Sequence, residues 1–177
     1  MTRSIESAEG DRFEAVFAHL DAVARYARRR GARDPGNIAA ECMAVAWRRL
    51  DEVPLDDPLP WLLACARRIV LSQHRQRHGD VPLEAAPEPS FDAPEPTGLD
   101  RAFSDALASL APFDREALLL IAWEDLTPTQ AARALGISPV AFRVRLHRAR
   151  RRCRSALEAR LTNLAPEICS ESEILHG

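Results

Sequence analysis

The residues best suited to a chemical task are the arginines between Thr127 and Arg160. This stretch holds nine Arg and a single acid, Glu158, which gives it a net charge of +8. A surface built for solubility usually mixes both signs of charge, whereas a surface of one sign repels itself until a polyanion neutralises it. Arginine forks also suit phosphate oxygens and guanine edges. The pattern predicts a nucleic-acid-binding surface, and a solvated helical hairpin is the alternative.

Helix start and stop signals place these arginines on the second of two helices. Thr127 is a good N-cap, Pro128 follows at the first helical position, and Gly136 suits the left-handed residue that ends a helix. Ser138 and Pro139 repeat the start signal, after which apolar residues recur at helical spacing: Phe142, Leu146, Ala149, Cys153 and Leu157. A short helix, a tight corner and a longer basic helix form the helix-turn-helix that places its second helix in the DNA major groove.

The composition limits the class of protein. With 177 residues, 46% of them hydrophobic, the chain can form one domain or two small ones. Its four cysteines are far apart and lack C-x-x-C spacing, which favours free thiols over a zinc site or a disulfide: Cys42, Cys65, Cys153 and Cys169. Neither a signal peptide nor an apolar run of membrane length is apparent. We therefore expect a cytoplasmic protein with no membrane partner.

The first half predicts a compact helical unit at residues 11–78. Helical periodicity begins at Phe13 and stops at Gly31, and further helices are expected over about 38–50 and 61–77. Between them, the 50–60 stretch carries three prolines and four acids and is predicted to be a loop. Three helices of this size form one small bundle.

The second half predicts a linker and a second helical unit. Residues 79–100 hold six acids and no basic residue, so we expect 79–99 to be a flexible, Pro-rich acidic linker. Four helices should then form a domain at 100–161, and 162–177 should be a flexible C-terminal tail. The predicted fold class is all-α, with two small helical domains joined by the linker.

This order of parts resembles the extracytoplasmic-function (ECF) sigma factors of bacterial RNA polymerase, group 4 of the sigma-70 family. The stretch from Leu107 to Leu157, which includes LTPTQAARALGISPVAFRVRLHRARRRC, is similar to the family's region 4. In the first half, AECMAVAWRRL and PWLLACARRIV resemble regions 2.2 and 2.3–2.4. The sequence departs from the family pattern at the run Asn37 to Glu41, where only Glu41 keeps a carboxylate, and at Arg68 and Ser72, where the family commonly has Asn and Asp.

The resemblance implies three sets of binding residues. One helix would contact the β′ clamp helices of core polymerase through Asn37, Ala40, Glu41 and Trp47. The 50–60 loop and the helix after it would capture an unstacked base of the −10 element and contact DNA through Trp61, Arg67, Arg68 and Arg75. Packing in the core is the alternative for both tryptophans. The −35 set would face bases with Arg143, Val144, His147 and Arg148, and phosphates with Arg145, Arg151 and Arg152.

The functional expectation is promoter recognition and transcription initiation, and not an enzyme. Catalysis would belong to the polymerase, so we expect no catalytic residues, metal, cofactor or small-molecule substrate. The implied partners are core polymerase, at its β′ clamp helices and β flap, and promoter DNA, and the resemblance leaves open an anti-sigma factor. A stand-alone helix-turn-helix transcriptional regulator is the alternative. A helical adaptor that binds only proteins is a third interpretation, which the +8 region disfavours.

Overall fold

The computed structural model describes residues 2–78 and 98–174, with side chains described over 10–76 and 99–162. All regular structure in these residues is helical, which confirms the predicted fold class. None of the described helices is both long and apolar enough to span a membrane. The helices are α1 (Thr2–Phe17), α2 (Leu20–Arg29), α3 (Pro35–Arg48), α4 (Leu59–His78), α5 (Gly98–Ala108), α6 (Pro112–Ala122), α7 (Pro128–Leu135) and α8 (Pro139–Ile174), with a short 3-10 turn at Leu50–Glu52.

The first unit, α1 to α4, contains one helix more than predicted. The expected single helix from Phe13 to Gly31 is divided at residues 18–19, where the His19 amide bonds the Val16 carbonyl three residues back at 3.1 Å. Such a tightened turn commonly ends an α-helix. Gly31 stops α2 in the left-handed region, with φ of 70°. Because each half of the divided helix keeps its own apolar face, the periodicity alone did not reveal the break.

The second unit, α5 to α8, has its helices where the sequence predicts them. Thr127 and Gln130 form a reciprocal capping box at the start of α7, and Gly136 ends it with φ of 68°. Ser138 then caps α8, because its Oγ accepts the Ala141 amide at 3.1 Å. These local signals fix the corner between the two helices. The predicted apolar seam of α8 is buried at its start: Phe142, Leu146 and Ala149.

The described residues include little of the predicted linker but part of the predicted C-terminal tail. The linker at 79–99 lies almost wholly outside them. The helix α8 continues to Ile174, into the 162–177 segment for which the sequence predicts a flexible tail. The domain boundaries therefore stay predictions.

The two units pack against each other and share a continuous buried core. The helix α4 contacts α7, and one apolar cluster includes Leu62, Leu63 and Ala66 of α4 together with Ala131 and Leu135 of α7. Burying these apolar side chains together removes them from water and stabilises the packed arrangement. The first helix of the helix-turn-helix therefore lies against α4, whose arginines and Trp61 are the side chains predicted to bind the −10 element.

Candidate nucleic-acid interface

The side of α8 opposite its buried seam is exposed to solvent. Phe142 is fully buried, so residues half a helical turn away point outward. We define the α8 face by five exposed residues of the predicted −35 set: Arg143, Val144, His147, Arg148 and Arg151. Val144 is 47% exposed, which leaves its methyl groups available for apolar contact. A helix of about 10–12 Å diameter fits the B-DNA major groove, which is about 12 Å wide.

The other two members of the predicted −35 set, Arg145 and Arg152, lie at one edge of α8 and bind within the protein. Their guanidinium groups contact the two oxygens of Asp114, each at 2.8 Å. The Asp114 side chain is only 7% exposed, so the two cations supply the charge that a buried carboxylate needs. Asp114 belongs to the first turn of α6. This bridge fixes the orientation of α8 on α6.

A groove on the first unit contains two of the four side chains predicted to bind the −10 element. It lies between α3, the 50–60 loop and α4, has a volume of about 590 Å³, and is lined by Trp61, Arg68 and Cys65 among others. Arg133 of α7 closes one side. There its guanidinium contacts Asp57 at 3.1 Å, and Gln130 Nε2 donates to the same carboxylate at 3.1 Å.

The other two side chains predicted to bind the −10 element lie away from the groove. Arg67 is partly buried between the units, with its guanidinium 4.7 Å from the ring centroid of Phe113 in α6. Such a cation–π contact is worth about 0.5–2 kcal/mol, depending on its solvation. Arg75 is exposed two helical turns farther along α4. The structure therefore brings Trp61 and Arg68 together and separates them from Arg67 and Arg75.

The predicted polymerase-binding residues share one exposed face of α3, defined by Asn37, Ala40, Glu41 and Trp47. Trp47 is 52% exposed, and its ring packs edge-on against Phe13 with centroids 4.8 Å apart. Packing thus accounts for only part of this large aromatic side chain. Glu41 is exposed farther towards the N-terminus of α3, which leaves its carboxylate available to a partner.

A buried charge cluster joins the two units. Arg30, the C-cap residue of α2, contacts Glu116 of α6 at 3.0 Å and Glu124 at 2.6 Å, and these three side chains are 9%, 12% and 7% exposed. Tyr26 donates to Glu116 at 2.9 Å, and Arg29 contacts Glu124 at 3.0 Å and also bonds the Trp123 carbonyl.

Burial and the neighbouring charges together set the pKa values of this cluster. Burial raises the pKa of Tyr26 well above its usual value, and the nearby Glu116 carboxylate raises it further. Burial by itself lowers the pKa of Arg30, but the charges of Glu116, Tyr26 and Glu124 together raise it above its usual value. The guanidinium therefore stays charged while it holds the two glutamates.

The sequence analysis did not identify the acids that hold α8 on α6 and that form ion pairs between the two units. Along the chain, Asp114, Glu116 and Glu124 stand at the ends and edges of an apolar helix, and Asp57 is one of several loop acids. Their arginine partners lie between 31 and 95 residues away. Local spacing carries no signal for contacts at that separation. Within the described residues, no group of three His, Cys, Asp or Glu side chains could hold a metal ion.

Comparisons with known proteins show which family this chain resembles. A protein-family model, Sigma-70, region 4, matches residues 100–153. The RNA polymerase sigma-E factor of Streptomyces coelicolor is 31% identical over 158 residues, which cover 83% of this chain and 86% of that protein.

Two solved structures share the fold. One is the sigma factor RpoE of Bartonella quintana in complex with the anti-sigma factor NepR, with TM-score 0.58 and 23% identity over 82% of this chain and 95% of that one. The other is CnrH in complex with the cytosolic domain of CnrY, with TM-score 0.57 and 23% identity over 87% and 90% of the two chains. From the identity to a sigma-E factor across most of both chains, together with the region 4 match on the helix-turn-helix, we conclude that the chain belongs to the ECF sigma factors, which direct bacterial RNA polymerase to promoters.

Proposed function

We propose that the α8 face recognises the −35 element of a promoter as duplex DNA while the first unit binds core polymerase and the −10 element. The observation that carries this assignment is the exposed row of Arg143, His147, Arg148 and Arg151 opposite the buried start of the apolar seam, within the residues that match region 4. Arg148 and Arg143 flank the centre of the face and would contact bases. Arg151 would contact phosphate, which adds affinity without sequence preference.

The groove beside Trp61 would hold an unstacked base of the −10 element. An aromatic wall returns part of the unstacking cost through stacking, about 1–3 kcal/mol per base, and Arg68 adds a cation at the same place. Pro54 and Pro60 line the groove with rigid apolar surface. Arg75, farther along α4, would contact the phosphate backbone of the DNA.

The exposed face of α3 would bind the β′ clamp helices, with the half-exposed Trp47 as its apolar anchor and Glu41 as its charged contact. The second unit would contact the β flap. Catalysis would belong to the polymerase, so the chain itself would be no enzyme, and it would act in the cytoplasm with the polymerase.

Both promoter elements cannot be bound while the units are packed together. The −10 and −35 elements lie about 25 base pairs apart, or roughly 85 Å at 3.4 Å per base pair, whereas a compact chain of 177 residues has a radius of gyration of about 16 Å. The segment 79–97 between α4 and α5 can reach about 65 Å when extended, and the widths of the two units cover the remaining distance of about 20 Å. Promoter binding therefore requires the two units to separate. The packed arrangement would be the state of the free protein or of a complex with a regulator.

The regulator would be an anti-sigma protein. Two proteins of the same fold, RpoE and CnrH, were solved with NepR and with the cytosolic domain of CnrY. A partner of this class would bind the packed units and keep them from polymerase.

Run-off transcription with purified core polymerase tests the proposal. The wild-type chain should initiate at promoters that carry its own −35 and −10 elements. Arg148→Ala should lose about 1–3 kcal/mol of discrimination at one −35 base pair, about 5- to 150-fold, if its contact is bidentate to a base. The matched control is Arg160→Ala, on the same helix but beyond the region 4 match, which should keep full discrimination. Promoter binding that is equally specific without core polymerase would instead support the stand-alone regulator.

A further inference from the structure

Two cysteines that are 23 positions apart in sequence meet between α3 and α4 of the first unit. Cys42 is fully buried, and its thiol donates to the Leu62 carbonyl at 3.3 Å. Leu62 is one helical turn before Cys65 on α4, so the Cys42 sulfur packs next to Cys65, and the two thiols are near enough to shift each other's pKa. Cys65 is only partly buried. The pair thus consists of one thiol sealed in the core and one at its boundary.

The Cys65 side chain also lines the groove on the first unit, so solvent and small solutes can approach its sulfur. Arg68 and Arg49 line the same groove. The neighbouring Cys42 side chain lowers the pKa of Cys65, and the charge of Arg68 lowers it further, although burial acts in the opposite direction. The pKa of Cys42 is raised by the neighbouring Cys65 and by burial. Cys65 is thus favoured as the thiolate and Cys42 as the thiol.

We propose that Cys65 is a peroxide-reactive thiol and that Cys42 is the partner with which it closes a reversible disulfide between α3 and α4. The groove gives a peroxide access to the Cys65 sulfur, the arginines favour its anion, and the second thiol lies next to it between α3 and α4. An accessible thiolate beside a resolving cysteine is the arrangement that redox-sensing proteins use.

The reaction balances with hydrogen peroxide as the oxidant. The Cys65 thiolate attacks one peroxide oxygen, the S–O bond forms as the O–O bond breaks, and the leaving hydroxide takes a proton to become water. Cys65 is then a sulfenic acid, oxidised by two electrons. The Cys42 sulfur attacks the Cys65 sulfur, the S–S bond forms as the S–O bond breaks, and the departing hydroxide takes the Cys42 proton. Two thiols and one peroxide give one disulfide and two waters.

The disulfide would join the two helices to which the proposed function assigns polymerase binding and recognition of the −10 element. Cys42 follows Glu41 on α3, and Cys65 lies one helical turn from both Trp61 and Arg68 on α4. Bond formation requires the two Cα atoms to lie about 4.4–6.8 Å apart. It therefore fixes the spacing of α3 and α4 and moves the Cys65 sulfur from the groove wall towards the core.

The test uses full-length protein with Cys153 and Cys169 both replaced by Ser, so that only the pair remains. Treatment with hydrogen peroxide should remove two hydrogen atoms from the intact mass and block both thiols, and dithiothreitol should restore them. In the same background, Cys42→Ser should stop at a sulfenic acid that dimedone traps on Cys65, and Cys65→Ser should leave Cys42 as an unreacted thiol.

A matched control retains Cys153 alone, with the other three cysteines replaced by Ser. Cys153 is partly buried on α8, and burial raises its pKa, so at neutral pH the native Cys65 holds the larger thiolate fraction and should react several-fold faster. Equal rates for the two, or dimedone labelling of Cys42 in the Cys65→Ser variant, would overturn the proposal. The same holds if the pair is oxidised only after denaturation in urea.

The effect on transcription rests on the proposed function and is measured separately. Oxidised protein should yield several-fold less run-off transcript than reduced protein, with recovery after dithiothreitol, and Cys65→Ser should be insensitive to peroxide. Confirmed disulfide formation with unchanged transcription would refute the regulatory consequence and leave the thiol chemistry intact. Loss of transcription in the reduced wild-type protein would count against the proposed function alone.

Discussion

Replacing Arg30 by Ala should release the two units from each other. Arg30 contacts two carboxylates of the second unit, Glu116 at 3.0 Å and Glu124 at 2.6 Å. Alanine removes the charge and keeps the helix propensity of α2. The change in stability therefore reports the contacts that Arg30 makes across the interface, together with its cation–π contact to the Tyr26 ring, whose centroid lies 4.1 Å from the guanidinium.

The free-energy cost of Arg30→Ala depends on which hydrogen-bond and ion-pair partners remain to Glu116 and Glu124. Removing one partner of a buried ion pair costs about 3–5 kcal/mol, because a charge remains without compensation. Here Glu116 keeps the Tyr26 hydroxyl at 2.9 Å and Glu124 keeps Arg29 at 3.0 Å, so the lower end, about 3 kcal/mol, applies. Separation of the units hydrates both carboxylates, which limits the cost to the free energy that holds the units together. A cost of about 3 kcal/mol shifts the ratio of separated to packed molecules by about 150-fold.

Small-angle X-ray scattering and urea unfolding measure the two consequences. The wild-type protein should scatter as a particle whose packed part has a radius of gyration of about 16 Å, and Arg30→Ala should be larger. In urea, the variant should lose the single cooperative transition and unfold as two units, because they no longer stabilise each other.

The control is Arg12→Ala, which breaks the ion pair with Asp51 inside the first unit. The Asp51 side chain is 94% exposed, so the loss should be within about 0.2–1 kcal/mol and the scattering unchanged. If Arg30→Ala scatters and unfolds like the wild-type protein, the charge cluster does not hold the units together and the reasoning is wrong.

The other predictions concern single groups. Tyr26 is the one tyrosine of the chain, and its pKa is raised well above 10. Its contribution to stability should therefore be complete below pH ~10 and be lost as the pH rises through that raised pKa. A tyrosinate absorbance midpoint near 10 in the native protein would contradict this. Asp114→Asn should free Arg145 and Arg152 for DNA and steepen the slope of log K against log salt by about 0.9 for each new phosphate contact, so an unchanged slope in the folded variant would count against it. Glu41→Arg should weaken the pull-down of core polymerase while the far-ultraviolet circular dichroism stays native, and normal retention would mark Glu41 as a surface charge without a partner.

The amino-acid sequence by itself determined the helices of the second unit and the corner between α7 and α8. Capping, proline placement and a left-handed glycine act over a few neighbouring positions, so Thr127, Gln130, Gly136 and Ser138 specify that geometry wherever the unit lies. The helical period likewise marked Phe142 as buried and Arg148 as exposed. The same period did not show the break after α1, because a short interruption between two apolar faces leaves their spacing almost unchanged.

Only the tertiary structure decided which of the charged groups face solvent and which bind within the protein. Arg145 and Arg148 look equivalent along the chain, yet Arg145 lies at the edge of α8 and contacts Asp114 while Arg148 is exposed. The packing of the units, the cluster around Arg30 and the meeting of Cys42 with Cys65 likewise join residues from different helices. Such contacts depend on how helices pack in three dimensions, and a buried charge or thiol obtains its partner and its pKa from that packing rather than from its neighbours in sequence.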